Sequence, residues 1–198
     1  MGITIHYSLK TDEQTEEEVR KIIHNLREQA LELDLVSVSD IIELTGEECD
    51  LSTCDKANRT LVTHARLDIS GEDEVELLAP AKIIGFVANP GIGSEACHMA
   101  LCKRANGEWN FHVFCKTQYA SDAGHGGVAN FLKSHTSAIK LLDLASTAGL
   151  EVTVRDECGY WQHRDEAILK ESLETMNKHI ETVVERLSEG DGNLLRLN

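Results

Sequence analysis

A stretch of sequence near the middle of the chain decides the fold. It runs from Glu95 to Gln118 and reads EACHMALCKRANGEWNFHVFCKTQ. Two segments with strand character, 95–103 and 108–118, flank the dipeptide Asn106-Gly107. Because Asn-Gly is the strongest short signal for a β-hairpin, the stretch predicts two antiparallel strands joined by a tight turn.

A two-residue turn would also fix which residues of the two strands face each other. Counting back from the turn places Cys97 opposite Lys116. On the other side of the sheet the same register places His98 opposite Cys115.

The flanking sequence extends this hairpin into a larger sheet. Apolar residues at helical spacing predict helices at 13–33, 128–148 and 165–190, and strand patterns occur at 3–7, 35–44, 61–69, 82–88 and 150–155. The order predicts an α+β fold: one domain over residues 1–198, with a mixed, mostly antiparallel sheet of about six to seven strands. Helices pack on this sheet, the chain ends in a β-α-β-α unit, and residues 190–198 form a loose tail.

Composition limits the classes of partner. The chain has 198 residues, 41% of them apolar, and a formal net charge of −15. Such a charge repels phosphate backbones and anionic lipids, so we expect neither nucleic acid nor membrane as a partner. The N-terminus lacks a signal-peptide pattern, which predicts a cytoplasmic protein whose six cysteines are reduced. Composition says nothing about the oligomeric state.

Topology predicts where a site would lie. The two strands of the β-α-β unit between Glu108 and Arg155 should run parallel, so their C-terminal ends reach the same edge of the sheet. Three loops should converge there, at 89–95, 118–127 and 156–165. Ligands commonly bind at such an edge.

These loops carry side chains that suit a metal or a small ligand. The candidate ligands of a divalent metal are Asp122, His125, Asp156, Glu157 and His163, because zinc, manganese and iron accept both carboxylate and imidazole. The candidate ligand-binding residues are Lys116, Gln118, Tyr119, Tyr160 and Trp161. The alternative is that these groups are solvated loop charges and helix caps, as Asp165 would be at the start of a helix.

The side chains predicted at this edge of the sheet lead to three hypotheses of function. The first is a module in which Tyr160 and Trp161 anchor a small molecule or a protein partner. The second is a metal-dependent, hydrolase-like enzyme with Glu95 as its base. The third is an enzyme with Cys115 as nucleophile, supported by His98 or His135. His135 lies on an apolar helix face, where a histidine is more often a hydrogen-bonded core residue.

Overall fold

Nine strands and five helices make up the part of the chain that the structure describes. The structure is a computed structural model, and it describes residues 3–69 and 75–194. The elements are β1 (Thr4–Thr11), α1 (Glu16–Leu31), β2 (Ser37–Val38), β3 (Ile42–Thr45), α2 (Arg59–Ala65), β4 (Leu67–Ile69), β5 (Val75–Leu77), β6 (Lys82–Asn89), β7 (Cys97–Lys103), β8 (Trp109–Lys116), α3 (Gly127–Thr147), β9 (Glu151–Asp156), α4 (Tyr160–His163) and α5 (Glu166–Leu194).

Seven of the strands form one sheet. Their order is β2-β6-β7-β8-β1-β9, and β3 also pairs with β6. Every pairing in this sheet is antiparallel. The predicted α+β fold with a mostly antiparallel sheet is therefore confirmed. The strands β8 and β9 run in the same direction, as predicted, but β1 lies between them and pairs with both.

Helices cover the two faces of the sheet unequally. The helix α1 packs on β6 and β7 through an apolar stripe at helical spacing, formed by Val19, Ile23, Leu26 and Ala30, and α3 packs on α1 and β9. On the opposite face, α2 and β4 pack on β8. Because side chains alternate along a strand, Cys115 of β8 lies on the α3 side and Phe114 lies on the α2 side. The two faces can therefore hold separate sites.

The predicted register of the central hairpin is wrong by one residue. Lys103 pairs with Trp109, and the loop between the strands has three residues rather than two. Gly107 ends this loop in the left-handed conformation with φ of 89°, which is the usual form of a three-residue hairpin loop. As a result, the side chain of Cys115 contacts Cys97 rather than His98.

Two other segments differ from the sequence prediction. The alternating pattern at 61–69 predicts a strand, but the chain forms the helix α2 followed by the short strand β4. Leu61, Val62 and Ala65 are also spaced for one face of a helix, and that face is buried. The predicted strand at 35–44 is divided into β2 and β3.

The end of the chain is helical for longer than the sequence predicts. The helix α5 continues to Leu194, which includes the first part of the predicted loose tail at 190–198. Residues 195–198 lie outside the described residues. None of the helices in the described ranges combines the length and the apolar character needed to cross a lipid bilayer.

The close approach of β6 and β7 leaves no room for a side chain at Gly85. A Cβ atom built on Gly85 would lie 2.5 Å from the Cβ of Ala100 and 2.6 Å from the carbonyl oxygen of Met99. We expect Gly85→Ala to lower the free energy of unfolding by about 1–3 kcal/mol, since the strands must separate to admit the methyl group. Urea unfolding measures this change.

A matched control tests whether the effect belongs to this contact. Gly124→Ala adds the same methyl group in an exposed turn, where its closest neighbour is a side-chain oxygen of Asp122 at 3.1 Å. This variant should stay within about 0.5 kcal/mol of the wild type. Equal losses in the two variants would contradict the prediction.

Candidate functional site

The predicted edge forms around the first residues of β1. Thr4 pairs with Lys116 at the end of β8, and Ile5 pairs with Asp156 at the end of β9. The loops that follow these strands are tied to β1 as well, because Thr117 N donates to Ile3 O and Glu157 N donates to Thr4 O. The ends of β8 and β9 are thereby held on either side of one strand.

The third predicted loop, at 89–95, is joined to the others through α3. The side-chain amide of Asn130 donates to the carbonyl oxygen of Ile92 at 2.8 Å and to that of Ala120 at 3.0 Å. Asn130 is in the first turns of α3, so the N-terminal end of this helix lies where the loops meet.

A buried cluster of three polar side chains lies at this edge. His135 comes from α3, Asp156 ends β9, and Cys158 follows two residues later. His135 Nε2 lies 3.3 Å from Asp156 Oδ2 and 3.4 Å from Cys158 Sγ, while Cys158 Sγ lies 3.0 Å from Asp156 Oδ1. The side chains of His135 and Asp156 are fully buried. An imidazole, a carboxylate and a thiol thus lie within 4.8 Å of one another through one ligand atom each.

The other ring nitrogen of His135 has its own partner. Nδ1 lies 2.9 Å from the hydroxyl oxygen of the buried Thr117, in the loop after β8. Beside the ionised Asp156, Nε2 carries the proton and donates to the carboxylate, while Nδ1 accepts from the Thr117 hydroxyl. A metal ion bound at Nε2 would instead require the proton on Nδ1, which would then donate to Thr117. The rings of Tyr160 and His135 pack in a T-shaped arrangement, with centroids 5.9 Å apart. These contacts fix the orientation of the ring.

Hydrogen bonds keep Asp156 ionised in spite of its burial. Burial raises the pKa of this carboxyl, but hydrogen bonds from His135, Cys158 and the backbone N–H of Trp161 outweigh it and lower the pKa to about 2. Burial, followed by the adjacent Asp156 carboxylate, raises the pKa of the Cys158 thiol well above its ordinary value. Without a cation, Cys158 is therefore a neutral thiol beside a carboxylate.

An open cavity of about 780 Å³ adjoins the cluster. Its walls include Asp156, Cys158 and one side of α5. Polar side chains that line it are Arg155, Glu157, Glu171, Ser172, Thr175 and His179. The side chains of Asp156 and His135 are inaccessible, so a molecule in this cavity can reach the cluster only through Cys158, which is 8% exposed.

Most of the side chains predicted as metal ligands lie outside this cluster. Within the described residues, His135, Asp156 and Cys158 are the one group of three such side chains close enough to share an ion. Asp122 instead accepts from Gly124 N in a turn, and the exposed His125 contacts Tyr119 O. Glu157 accepts from Thr4 N, and His163 is exposed at the end of α4. Of the five predicted metal ligands, Asp156 alone is a member of the buried cluster.

The predicted ligand-binding residues are spread along the edge. Gln118 accepts from Ile3 N, whereas the Tyr119 side chain is exposed. Tyr160 and Trp161 are half-buried against the core, and the Arg164 guanidinium lies 4.5 Å from the Trp161 ring centroid. Their ring faces are thus engaged within the chain.

Two residues proposed for catalysis, Glu95 and Cys115, lie together but away from the cluster. The carboxylate of Glu95 accepts from Lys116 N at 3.0 Å, and the Cys115 thiol donates to Glu95 O at 3.1 Å. Cys115 is fully buried, and its contact with Cys97, together with burial, raises the pKa of the thiol well above its ordinary value. A thiol in this environment resists conversion to the nucleophilic thiolate.

Neither Cys158, a member of the cluster, nor Thr117, the partner of His135 Nδ1, was predicted from the sequence. A usable signal was present for Cys158, because Asp156-x-Cys158 follows a strand and places both side chains beside the preceding helix. Thr117 gave no comparable signal. No family model matches the chain, and neither a curated protein nor a solved structure is significantly similar to it, so its function has to be inferred from the chemistry of this edge.

Proposed function

We propose that the protein binds a transition-metal ion through His135, Asp156 and Cys158 and uses it as a hydrolase-like enzyme. The observation that carries the proposal is the convergence of an imidazole, a carboxylate and a thiol. Around tetrahedral zinc, bond lengths of about 2.0–2.3 Å place neighbouring ligand atoms about 3.3–3.7 Å apart. His135 Nε2 lies 3.3 Å from Asp156 Oδ2 and 3.4 Å from Cys158 Sγ, and one ligand atom from each of the three residues lies within 4.8 Å of the other two, so side-chain shifts would admit the ion.

The chemistry of the donors favours zinc. Thiolate and imidazole together suit zinc better than calcium or magnesium, which prefer oxygen ligands. A zinc ion would displace the proton of Cys158, and its charge would balance one thiolate and one carboxylate in a buried place. The bond between His135 Nδ1 and Thr117 resembles the outer contacts that orient metal-bound histidines.

The number of ligands supports a catalytic rather than a purely structural ion. Structural zinc sites have four protein ligands, whereas catalytic sites have three and leave one position for water or substrate. Cys158 lines the cavity and is slightly exposed, so a fourth ligand could enter from that side. Zinc-bound water is a nucleophile near neutral pH, which suits hydrolysis of a carbonyl or phosphoryl group.

The metal content of the purified, tag-free protein tests the proposal. We expect about one equivalent of zinc in the wild type and little in Cys158→Ser or His135→Gln, because either change leaves only two of the three ligands. The matched controls are His125→Ala and His163→Ala, which remove exposed imidazoles at the same edge and should retain the metal. Circular dichroism confirms that each variant is folded.

A spectroscopic measurement identifies the ligands directly. With cobalt(II) in place of zinc, a thiolate-to-cobalt charge-transfer band should appear in the wild type and be absent in Cys158→Ser. Zinc that Cys158→Ser retains would refute the proposed ligand set. A wild type without metal, whose melting temperature does not respond to zinc, manganese or magnesium, would refute metal binding altogether.

A second candidate function is that of a binding module for a small molecule or a protein, anchored by Tyr160 and Trp161. Their partial exposure at the same edge favours it. For either function we propose a cytoplasmic location, because Cys158 is a thiol and must stay reduced to bind a metal. Cell fractionation tests the location.

A further inference from the structure

A second cleft lies on the other face of the sheet, between α2 and the strands β6, β7 and β8. It has a volume of about 410 Å³, within the range of small-molecule sites. Its walls are largely apolar and include Leu61, Val87 and Phe114. The polar residues that line it include His64 of α2, His98 of β7 and Glu95, which precedes β7.

The two histidines in this cleft have unused hydrogen-bonding capacity. The Nδ1 atoms of His64 and His98 are buried, and neither has a hydrogen-bond partner within the described residues. The whole His98 side chain is nearly inaccessible, with 5% of the residue exposed, and the two rings pack edge to face at 5.0 Å. A buried polar atom without a partner costs about 1–3 kcal/mol, so a ligand that reaches these atoms after a small shift of the rings and supplies the missing bond is favoured.

Both imidazoles are neutral at physiological pH. Burial, followed by repulsion from His64, lowers the pKa of His98 to about 4. A hydrogen bond to the backbone of Ala96 raises this pKa by a smaller amount. Burial also lowers the pKa of His64, although the charge of Glu95 opposes this shift. A neutral imidazole with its proton on Nε2 accepts a hydrogen bond at Nδ1. The cleft thus presents two acceptors beside a carboxylate.

The spacing of these groups distinguishes a metal ion from an organic cation. Within the described residues, His64, His98 and Glu95 do not bring their ligand atoms within 4.8 Å of one another, so they do not form a ready-made metal site. A planar cation with N–H donors spread around its rim can span acceptors that are farther apart. Its flat body would also pack against the apolar side chains of Leu61 and Val87, away from the Phe114 ring, over which Lys116 Nζ already lies at 5.4 Å.

We propose that this cleft binds a planar organic cation of the amidine, guanidine or aminoheteroaromatic class, with Glu95 as its counter-ion and His64 and His98 as hydrogen-bond acceptors. This site is separate from the metal cluster, because His98 and Phe114 face α2 whereas His135 and Asp156 lie on the α3 side of the sheet. The proposal therefore stands whether or not the protein binds a metal.

The test uses benzamidine as the probe and the whole 198-residue chain, with a chelator present to remove metal, near neutral pH. We expect benzamidine to bind with a dissociation constant of about 1 mM and to shift the imidazole NMR signals of His64 and His98. The neutral isostere benzamide should bind at least about tenfold more weakly, since it lacks the charge that pairs with Glu95. Glu95→Gln should weaken benzamidine by a similar factor while its amide oxygen still accepts from Lys116 N.

A pair of variants on α2 locates the binding site. Thr60 is exposed and lines the cleft, so Thr60→Trp should fill the cleft and abolish binding. Thr63 is exposed on the same helix but does not line the cleft, and Thr63→Trp should bind as the wild type does. The proposal is overturned if the histidine signals do not respond, if benzamide binds as tightly as benzamidine, or if Thr60→Trp leaves binding unchanged.

Discussion

Asp156→Ala is expected to lower the free energy of unfolding by about 3–5 kcal/mol, even in protein stripped of metal. The carboxylate accepts hydrogen bonds from His135 Nε2, from the thiol and backbone N–H of Cys158, and from the backbone N–H of Trp161. Alanine leaves these buried donors without an acceptor. It also releases the loop after β9 from α3. Urea unfolding with a chelator present measures the loss.

Two further variants separate burial from the mere loss of a carboxylate. Asp165→Ala removes an exposed acid that accepts from Ala167 N at the start of α5, and should cost about 1 kcal/mol. Asp156→Asn keeps one acceptor oxygen and should fall between the two alanine variants. A loss for Asp156→Ala no larger than that for Asp165→Ala would show that the cluster contributes little to stability.

The meeting of the loops after β8 and β9 at one edge could be predicted from the sequence, because it depends on topology alone. The strand–helix–strand order of β8, α3 and β9 requires the ends of both strands to reach the same edge when they run in the same direction. That requirement is met although β1 lies between them. Asp156 was a candidate for this reason, whereas His135 was one only as a possible support for Cys115. The direct contact between His135 and Asp156, across 21 residues of chain, depends on how α3 is rotated over the sheet, which a periodic pattern does not define.

The errors have a common physical origin. Asn106-Gly107 is compatible with either a two-residue or a three-residue hairpin loop, and the choice shifts every facing pair by one position. The apolar residues of 61–69 fit both a strand and a short helix, and packing against β8 decides between them. In each case the local sequence permits two structures, and tertiary contacts that the sequence does not reveal select one.

The free energy of unfolding should depend on pH through His98, which lies on the α2 side of the sheet. Its pKa is about 4 in the folded protein and 6.5 in the unfolded chain, mainly because burial disfavours the charged ring. Between these values the unfolded chain binds a proton that the folded protein does not. The free energy of unfolding should therefore fall as the pH drops from about 6.5 to about 4, by roughly 3 kcal/mol in total. The groups that face His98 are His64, Glu95 and Ala96.

A comparison of variants isolates this term from the other titrating groups. His98→Gln cannot bind the proton, so between about pH 7 and about pH 4.5 it should lose roughly 2–3 kcal/mol less stability than the wild type. His24→Gln, which removes an exposed imidazole of α1, should lose as much stability as the wild type between these two pH values. Asp156, with a pKa of about 2, contributes only below about pH 3.8 and does not enter this window. Parallel pH profiles for wild type and His98→Gln would mean that His98 can be protonated in the folded state, and the cleft would then present a cation rather than an acceptor.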